Sequence, residues 1–163
     1  MLVDLRDRLL ALGVMPVLPA GWHAESAIQS AYGDKFSGDL AVTSLSPDGR
    51  RLEVALVDLS GKGRTAGTRS LLCSGAIGGL LGAVEPDRLP AAAKHQLVRQ
   101  EWCWGFATAV HMAVDLAEGG VEPGNAGDPS PNQVAAGSPV VGRHRPGGRA
   151  GAKGLGPPPL GQT

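Results

Sequence analysis

The spacing of apolar residues changes several times along the chain, and each spacing predicts a different element. Leucines three to four positions apart predict an amphipathic helix over residues 2–12, which Gly13 ends. A Ser-Pro-Asp-Gly turn at residues 46–49 precedes a stretch of alternating apolar residues, so we expect a β-hairpin there. The β-compatible patterns cover residues 22–31, 40–46 and 51–58.

Helical patterns dominate the middle of the chain. Residues 65–84 are rich in Ala, Gly and Leu, which predicts a helix that packs closely through small residues. A proline opens a second predicted helix over residues 90–102. Residues 106–116 then predict a strand, and the next strand, near Val121, is expected to be barely present because Pro123 interrupts it. A hairpin, two helices and further strands, without βαβ alternation, predict the α+β class.

Composition separates the C-terminal part from the rest. Residues 120–163 contain 11 of the 25 glycines and 8 of the 13 prolines, whereas all six aromatic residues lie before residue 107. A segment with so few large apolar side chains cannot offset the entropy cost of ordering its backbone. We therefore expect a folded part followed by a disordered Gly/Pro-rich tail.

Charge and cysteine content exclude several classes of protein. The chain has 15 Lys and Arg against 15 Asp and Glu, and its basic residues are scattered, so no nucleic-acid partner is expected. Cys73 and Cys103 form no metal-type cluster and are expected to be buried, reduced thiols. Charges interrupt the N-terminal leucines, and the longest mainly apolar stretch, residues 71–84, is too short to cross a bilayer. These features predict a cytoplasmic protein without a membrane partner.

Two aspartates are the first candidates for chemistry. Asp39 immediately precedes a predicted strand, and Asp58 ends the next strand. Because neighbouring strands of a hairpin can place both carboxylates at one end of a sheet, a hard cation such as Mg²⁺ or Mn²⁺ between them would relieve their repulsion. The alternative interpretation is that each aspartate caps a turn beside glycine.

Other candidate motifs lack the pattern that their chemistry requires. The Gly-Lys-Gly-Arg-Thr segment at residues 61–65 fails the phosphate-loop spacing GxxxxGK[ST], so a tight turn is favoured, and a looser anion-binding role at the helix N-terminus is the alternative. The four histidines share no ligand spacing, so no zinc site is expected. Ser74 has no GxSxG context and therefore forms no nucleophile elbow.

Three segments taken in order resemble a known family. They read YGDKFSGD at residues 32–39, LVDLSGKG at residues 56–63 and GFATAV at residues 105–110. This series is similar to the PPM-type serine/threonine protein phosphatases of the SpoIIE-like branch. The second segment is the most specific, because Asp-x-Ser-Gly-Lys-Gly after an apolar strand is rarely met by chance.

The resemblance implies a fold, a cofactor and an activity. The fold would be a partial α-β-β-α sandwich holding a pair of Mn²⁺ or Mg²⁺ ions at one edge. Asp39, Asp58 and the backbone carbonyl of Leu59 would be metal ligands. A metal-bridged hydroxide would hydrolyse phosphoserine or phosphothreonine with no catalytic side chain assigned. The substrate implied is a regulatory phosphoprotein in signal transduction, such as an anti-sigma factor antagonist.

The chain also departs from that family, which leaves an alternative open. Asp128 stands where the family usually has His, and no acidic residue follows it to complete the metal site. The expected division is a lead-in helix and linker over 1–19, an incomplete phosphatase domain over 20–131 and the disordered tail over 132–163. The alternative function is a catalytically deficient, truncated remnant or a protein-interaction module. A frameshift in a GC-rich gene is the hypothesis for the tail.

Overall fold

The computed structural model describes residues 2–28, 38–61, 63–100, 106–129, 131–133 and 142–143. Most of the predicted disordered tail lies outside these residues. The helices and strands in chain order are α1 (Leu2–Leu12), β1 (Leu40–Leu45), β2 (Arg51–Leu59), α2 (Gly63–Leu80), α3 (Leu89–Val98), β3 (Ala107–Asp115), β4 (Val121–Ala126), β5 (Asn132–Gln133) and β6 (Gly142–Arg143). A 3-10 turn, Pro86–Arg88, precedes α3. The α+β class is confirmed.

Strands β1 to β4 form one antiparallel sheet in the order β1-β2-β3-β4, and β5 and β6 form a separate two-stranded sheet within the described residues. The predicted hairpin between β1 and β2 is confirmed. Its turn is held by the Asp48 carboxylate, which accepts hydrogen bonds from the Ser46 hydroxyl at 2.6 Å and from the Arg50 amide at 3.1 Å. Gly49 has φ 69°, a left-handed conformation that glycine adopts without strain.

Two expectations about strands are wrong. Strand β4 is six residues long and pairs with β3, with Pro123 opposite Met112. The proline is tolerated because β4 is an edge strand, where a missing N–H removes no bond to a further strand. Conversely, residues 22–28 form no strand. Their β-compatible residues instead belong to a segment that crosses one face of the sheet.

The helices α2 and α3 cover one face of the sheet, here called the helix face. Side chains from both helices and from all four strands form its core: Leu40, Val42, Ala55, Val57, Leu59, Cys73, Ile77, Leu81, Leu89, Ala93, Leu97, Ala107 and Ala126. Small residues let α2 lie close to the sheet, as the composition predicts. Cys73 is a buried, free thiol, and burial raises its pKa to about 12, so the thiolate does not form at neutral pH. Cys103 lies outside the described residues.

A buried polar pair interrupts the apolar helix face. Nε2 of His111 in β3 donates to Oε2 of Glu53 in β2 at 3.0 Å, and both side chains are almost fully buried. The other Glu53 oxygen accepts from the Gly82 amide at 3.1 Å, just after α2. Burial lowers the pKa of His111, although Glu53 and Glu122 oppose the shift. The pair thus joins two strands to the end of a helix.

The opposite side of the sheet, here called the open face, is crossed by residues 13–28, which we call the strap. Gly13 lies against Ala41 so closely that an added Cβ would come within 2.9 Å of the Ala41 Cβ. The Thr43 hydroxyl donates to the Val14 carbonyl at 2.8 Å. At the far side of the sheet, Nε1 of Trp22 donates to the Leu116 carbonyl at 2.8 Å. The strap is therefore bonded both to the edge strand β1 and to the turn that follows the inner strand β3.

Helix α1 precedes the strap and packs against α2 and β1. The helix predicted over residues 2–12 is confirmed, including its end before Gly13. None of the helices among the described residues combines the length and apolar character that a membrane crossing requires.

Candidate functional site

The register of the first hairpin brings Asp39 and Asp58 opposite each other. Leu40 pairs with Val57, and the Leu59 amide donates to the Gly38 carbonyl at 3.2 Å, so the residues between these contacts face each other. Residues that pair in an antiparallel sheet point to the same face. Since Val57 and Leu59 belong to the helix-face core, Asp58 and Asp39 point to the open face, and both are exposed. The predicted convergence of the two carboxylates is therefore present.

A third carboxylate reaches the same edge from the far side of β3. Thr108 pairs with Asp58 across the ladder, and its hydroxyl donates to Oδ1 of Asp128 at 2.9 Å. The Asn125 side chain holds the turn before Asp128. Its Nδ2 donates to the Asp128 carbonyl at 2.8 Å, and its Oδ1 accepts from the Gly127 amide at 2.9 Å. Asp128 is thus held in place by two polar side chains.

The three carboxylates influence one another electrostatically. Partial burial in the surrounding groove raises the pKa of Asp58, and the charges of Asp39 and Asp128 raise it further. Like charges that share a site disfavour the ionised form. A cation placed among these residues would reverse that effect, because it favours ionised oxygen ligands.

The edge that holds the carboxylates is tightly assembled. At Gly38 an added Cβ would collide with the Leu59 carbonyl, so only glycine fits this close approach of two backbones. Ser60, from the Asp-x-Ser-Gly-Lys-Gly segment, joins β2 to β3. Its amide donates to the Phe106 carbonyl at 2.9 Å, and its hydroxyl accepts from the Phe106 amide at 2.8 Å. The motif therefore fixes the strand ends on which the carboxylates stand.

A groove of about 380 Å³ opens over the carboxylates and is here called the site groove. Strap residues form one wall, and strand residues form its floor. It is lined by Ala27, Ile28, Asp39, Leu40, Leu56, Val57, Asp58, Val110, Asp128 and Pro129. Its size lies within the range of small-ligand sites.

The donor set fits a loosely held divalent cation. Within the part of the chain that the structure describes, no three His, Cys, Asp or Glu side chains lie close enough together to hold one metal ion. Mg²⁺ usually keeps several waters and binds through only one or two carboxylates, so a closed cage is not required. Asp39 and Asp58 fit such a water-rich site. The ligand roles of these two residues and of the Leu59 carbonyl stay predictions.

Comparison with known proteins places the fold. Neither a family profile nor a curated protein sequence matches the chain. Among solved structures, the SiaA-PP2C domain of Pseudomonas aeruginosa superposes with a TM-score of 0.50 at 22% identity, covering 57% of this chain and 38% of that one. The fold is of the PP2C type. This chain spans well under half of the length of that PP2C structure.

The match supports the fold predicted from the motifs. The PP2C domains are PPM-type folds, so the mixed architecture and its antiparallel sheet agree with the expected class. Within the described residues the second sheet consists only of the short β5-β6 pair. The predicted SpoIIE-like branch is a finer assignment than this likeness carries.

Asp128 is the site residue that the sequence analysis did not assign. The sequence shows it only as an aspartate at a position where the family that the motifs resemble usually has His. Its place follows from the strand register, in which Thr108 lies opposite Asp58 and Gly127 pairs with Ala109, so no local sequence signal could have assigned it. Of the segment at residues 61–65, for which a tight turn is predicted, Lys62 lies outside the described residues.

Proposed function

We propose that the chain is a PPM-type phosphatase domain of the SpoIIE-like branch that hydrolyses phosphoserine or phosphothreonine with Mn²⁺ or Mg²⁺. The observation that supports the proposal is that Asp39 and Asp58 face each other on the open face of a PP2C-type sheet, with Asp128 lining the same groove and close enough to raise the pKa of Asp58. The branch assignment rests on the Asp-x-Ser-Gly-Lys-Gly segment that ends β2. The substrate proposed is a regulatory phosphoprotein such as an anti-sigma factor antagonist, in the cytoplasm.

Each carboxylate has a distinct place in this proposal. Asp39 and Asp58 hold the cation from adjacent strands, together with the backbone carbonyl of Leu59. Asp128, kept in position by Thr108, would add negative charge from the other side of the site groove. When bound, the divalent cation supplies charge neutralisation for the phosphate oxygens and activation of a water. The protein residues bind and orient, and none of them is required to form a covalent intermediate.

Cation binding is the first test, and calorimetry with Mn²⁺ is the measurement. We expect saturable binding to the wild-type chain and none to the double variant Asp39→Asn/Asp58→Asn. The matched control is Asp87→Asn/Glu118→Gln, which removes two exposed acids away from the site groove and should bind as the wild type does. Equal binding to all three proteins would remove the two aspartates from the metal site.

Hydrolysis is the second test. Phosphate release from a phosphoserine peptide should require Mn²⁺ and should be abolished in Asp58→Asn. In the calorimetric test, Asp128→Asn should weaken Mn²⁺ binding less than the double variant Asp39→Asn/Asp58→Asn does. The reason is that Asp128 stands on a separate turn and bonds to Thr108. Unchanged turnover in Asp58→Asn would contradict the proposal.

A second candidate function is a protein-interaction module that keeps the fold without the activity. The observation that favours it is that the described carboxylates do not form a three-ligand group. Saturable Mn²⁺ binding without phosphate release, or the absence of both, would favour this candidate.

A further inference from the structure

A second groove continues from the site groove along the strap. It has a volume of about 540 Å³ and lies between α1, the strap and β1. We call it the outer groove. The two grooves share four lining residues, Ala27, Ile28, Asp39 and Leu40, so they adjoin each other beside Asp39.

The walls of the outer groove are firmly attached. Gly13 contacts Ala41, and the Ser26 hydroxyl donates to the Gly13 carbonyl at 3.0 Å, which joins the two ends of the strap. Thr43 bonds the strap to β1 through the Val14 carbonyl. A site bounded by such contacts is largely formed before a ligand arrives, which lowers the entropy cost of binding.

The lining of the outer groove combines exposed apolar side chains with negative charge. Leu10, Val14 and Ile28 are 49%, 64% and 39% exposed, although they are aliphatic. Within the described residues, the charged members of the outer groove are Glu25 and Asp39, and those of the site groove are Asp39, Asp58 and Asp128. Every one of these is acidic, in a chain whose overall charge is balanced.

Among the described residues that line the outer groove, Glu25 is the charged side chain that remains when a cation neutralises Asp39. Its side chain is 81% exposed and accepts from Nε2 of His23, itself 82% exposed, at 3.0 Å. An ion pair at this exposure contributes little stability, so an incoming cationic side chain can replace the histidine.

We propose that the outer groove binds the part of the substrate chain next to the phosphoresidue and selects a segment with a basic side chain beside an aliphatic one. The basic side chain pairs with Glu25, and the aliphatic side chain packs against Leu10 and Val14. This proposal rests on the proposed phosphatase function, because it places the phosphoresidue at the site groove. It assigns the substrate class through charge complementarity and apolar contact.

The test is peptide binding measured by fluorescence anisotropy in the presence of Mn²⁺. Two labelled phosphoserine peptides of equal length are compared, one flanked by Arg and Leu and the other by Glu and Ser. We expect the Arg/Leu peptide to bind about fivefold more tightly, with the preference decreasing as salt is raised.

Variants of the outer groove should reduce this preference. Glu25→Gln should lower the affinity for the Arg/Leu peptide by about two- to fivefold, the range for an exposed ion pair. Val14→Ser should lower it by up to about threefold through lost apolar contact. Two matched controls lie outside both grooves, Glu118→Gln at the β3–β4 turn and Val17→Ser on the strap, where Val17 is 94% exposed. Neither control should change the affinity.

The outcomes separate the two proposals. Equal affinity for both peptides, or control variants as damaging as the groove variants, would overturn the selection of basic segments. Phosphate release measured on the same samples tests the phosphatase function alone. Selective binding without hydrolysis would support the groove assignment and contradict the phosphatase function. Hydrolysis of both peptides with equal affinity would support the phosphatase function and contradict the groove assignment.

Discussion

The helix face and the open face of the sheet are made by alternate residues of the same strands, yet they are covered in different ways. In β2, Ala55, Val57 and Leu59 are buried under α2 and α3, whereas Leu56 and Asp58 on the other side are exposed. Two helices cover the first face, where the apolar core surrounds the buried pair of Glu53 and His111. On the second face, the strap covers part of the sheet and leaves the grooves and the carboxylates accessible.

This difference indicates how one small sheet can serve both stability and chemistry. The helix face carries the larger apolar cluster, and a smaller one, with Leu52, Val54 and Leu116, lies under the strap on the open face. Beyond that smaller cluster the open face holds three like charges in proximity, a destabilising arrangement that a bound cation would relieve. The contrast between the faces leads to four predictions, given from the largest expected effect to the smallest.

The first prediction compares one substitution on both faces of β2. Leu59→Ala removes a side chain that is 2% exposed in the helix-face core and should lower the free energy of unfolding by about 2–5 kcal/mol. Leu56→Ala, on the open face and 40% exposed, should lower it by less than about 1.5 kcal/mol. Urea denaturation measures both. Similar losses in the two variants would contradict the assignment of the faces.

The second prediction concerns Gly38, which lies at the strand ends that carry Asp39 and Asp58. Gly38→Ala places a Cβ against the Leu59 carbonyl, so the backbone of one strand must move, at a cost of about 1–3 kcal/mol. The matched control is Gly75→Ala in α2, where an added Cβ meets nothing within 4 Å. That control should stabilise the chain by about 0.5–1 kcal/mol, because alanine favours a helix over glycine. A stabilised Gly38→Ala variant would show that the strands do not approach so closely.

The third prediction concerns the pH dependence of the helix face. Burial lowers the pKa of His111 in the folded chain, whereas the unfolded chain takes up the proton near pH 6.5. The unfolded state therefore binds more protons below this pH, so the free energy of unfolding should fall as the pH falls through 6.5. Glu53 and Glu122 face the ring and reduce the effect.

Two histidine variants test this prediction, and the free energy of unfolding of each is measured by urea denaturation between pH 5 and 8. His111→Gln should flatten the profile, because the amide can still donate to Glu53 but does not titrate. His23→Gln, at the exposed pair on the strap, should leave the profile as in the wild type. A profile that is unchanged in His111→Gln would assign the pH dependence to other groups.

The fourth prediction is that a substitution on the open face raises the free energy of unfolding, whereas most substitutions lower it. The raised pKa of Asp58 means that folding disfavours its ionised form, so Asp58→Asn should stabilise the metal-free chain at neutral pH, by less than about 1 kcal/mol. The advantage should vanish as the pH falls toward the carboxylate range. Thermal melts with and without Mn²⁺ measure this. Wild type should gain stability from the cation and the variant should not; destabilisation of the metal-free variant would contradict the electrostatic account.

Much of the fold could be predicted because the signals are local. The helix at residues 2–12, the hairpin turn and the strand at β3 each follow from spacing or turn chemistry within a short window. The convergence of Asp39 and Asp58 was also predictable, since a hairpin of known turn determines which of its residues face each other. Strand β4 was underestimated because its position at the sheet edge, which tolerates proline, depends on the order of the strands.

The amino-acid sequence by itself determined the element types, the α+β class and the two aspartates at the strand ends, because alternation, helical spacing and turn residues act between near neighbours. Tertiary structure alone decided the contacts between distant residues. Asp128 meets Thr108 across 20 positions, Glu53 meets His111 across 58, and Trp22 bonds the Leu116 carbonyl across 94. Such contacts depend on strand order and on how the strap crosses the sheet, which no local pattern encodes.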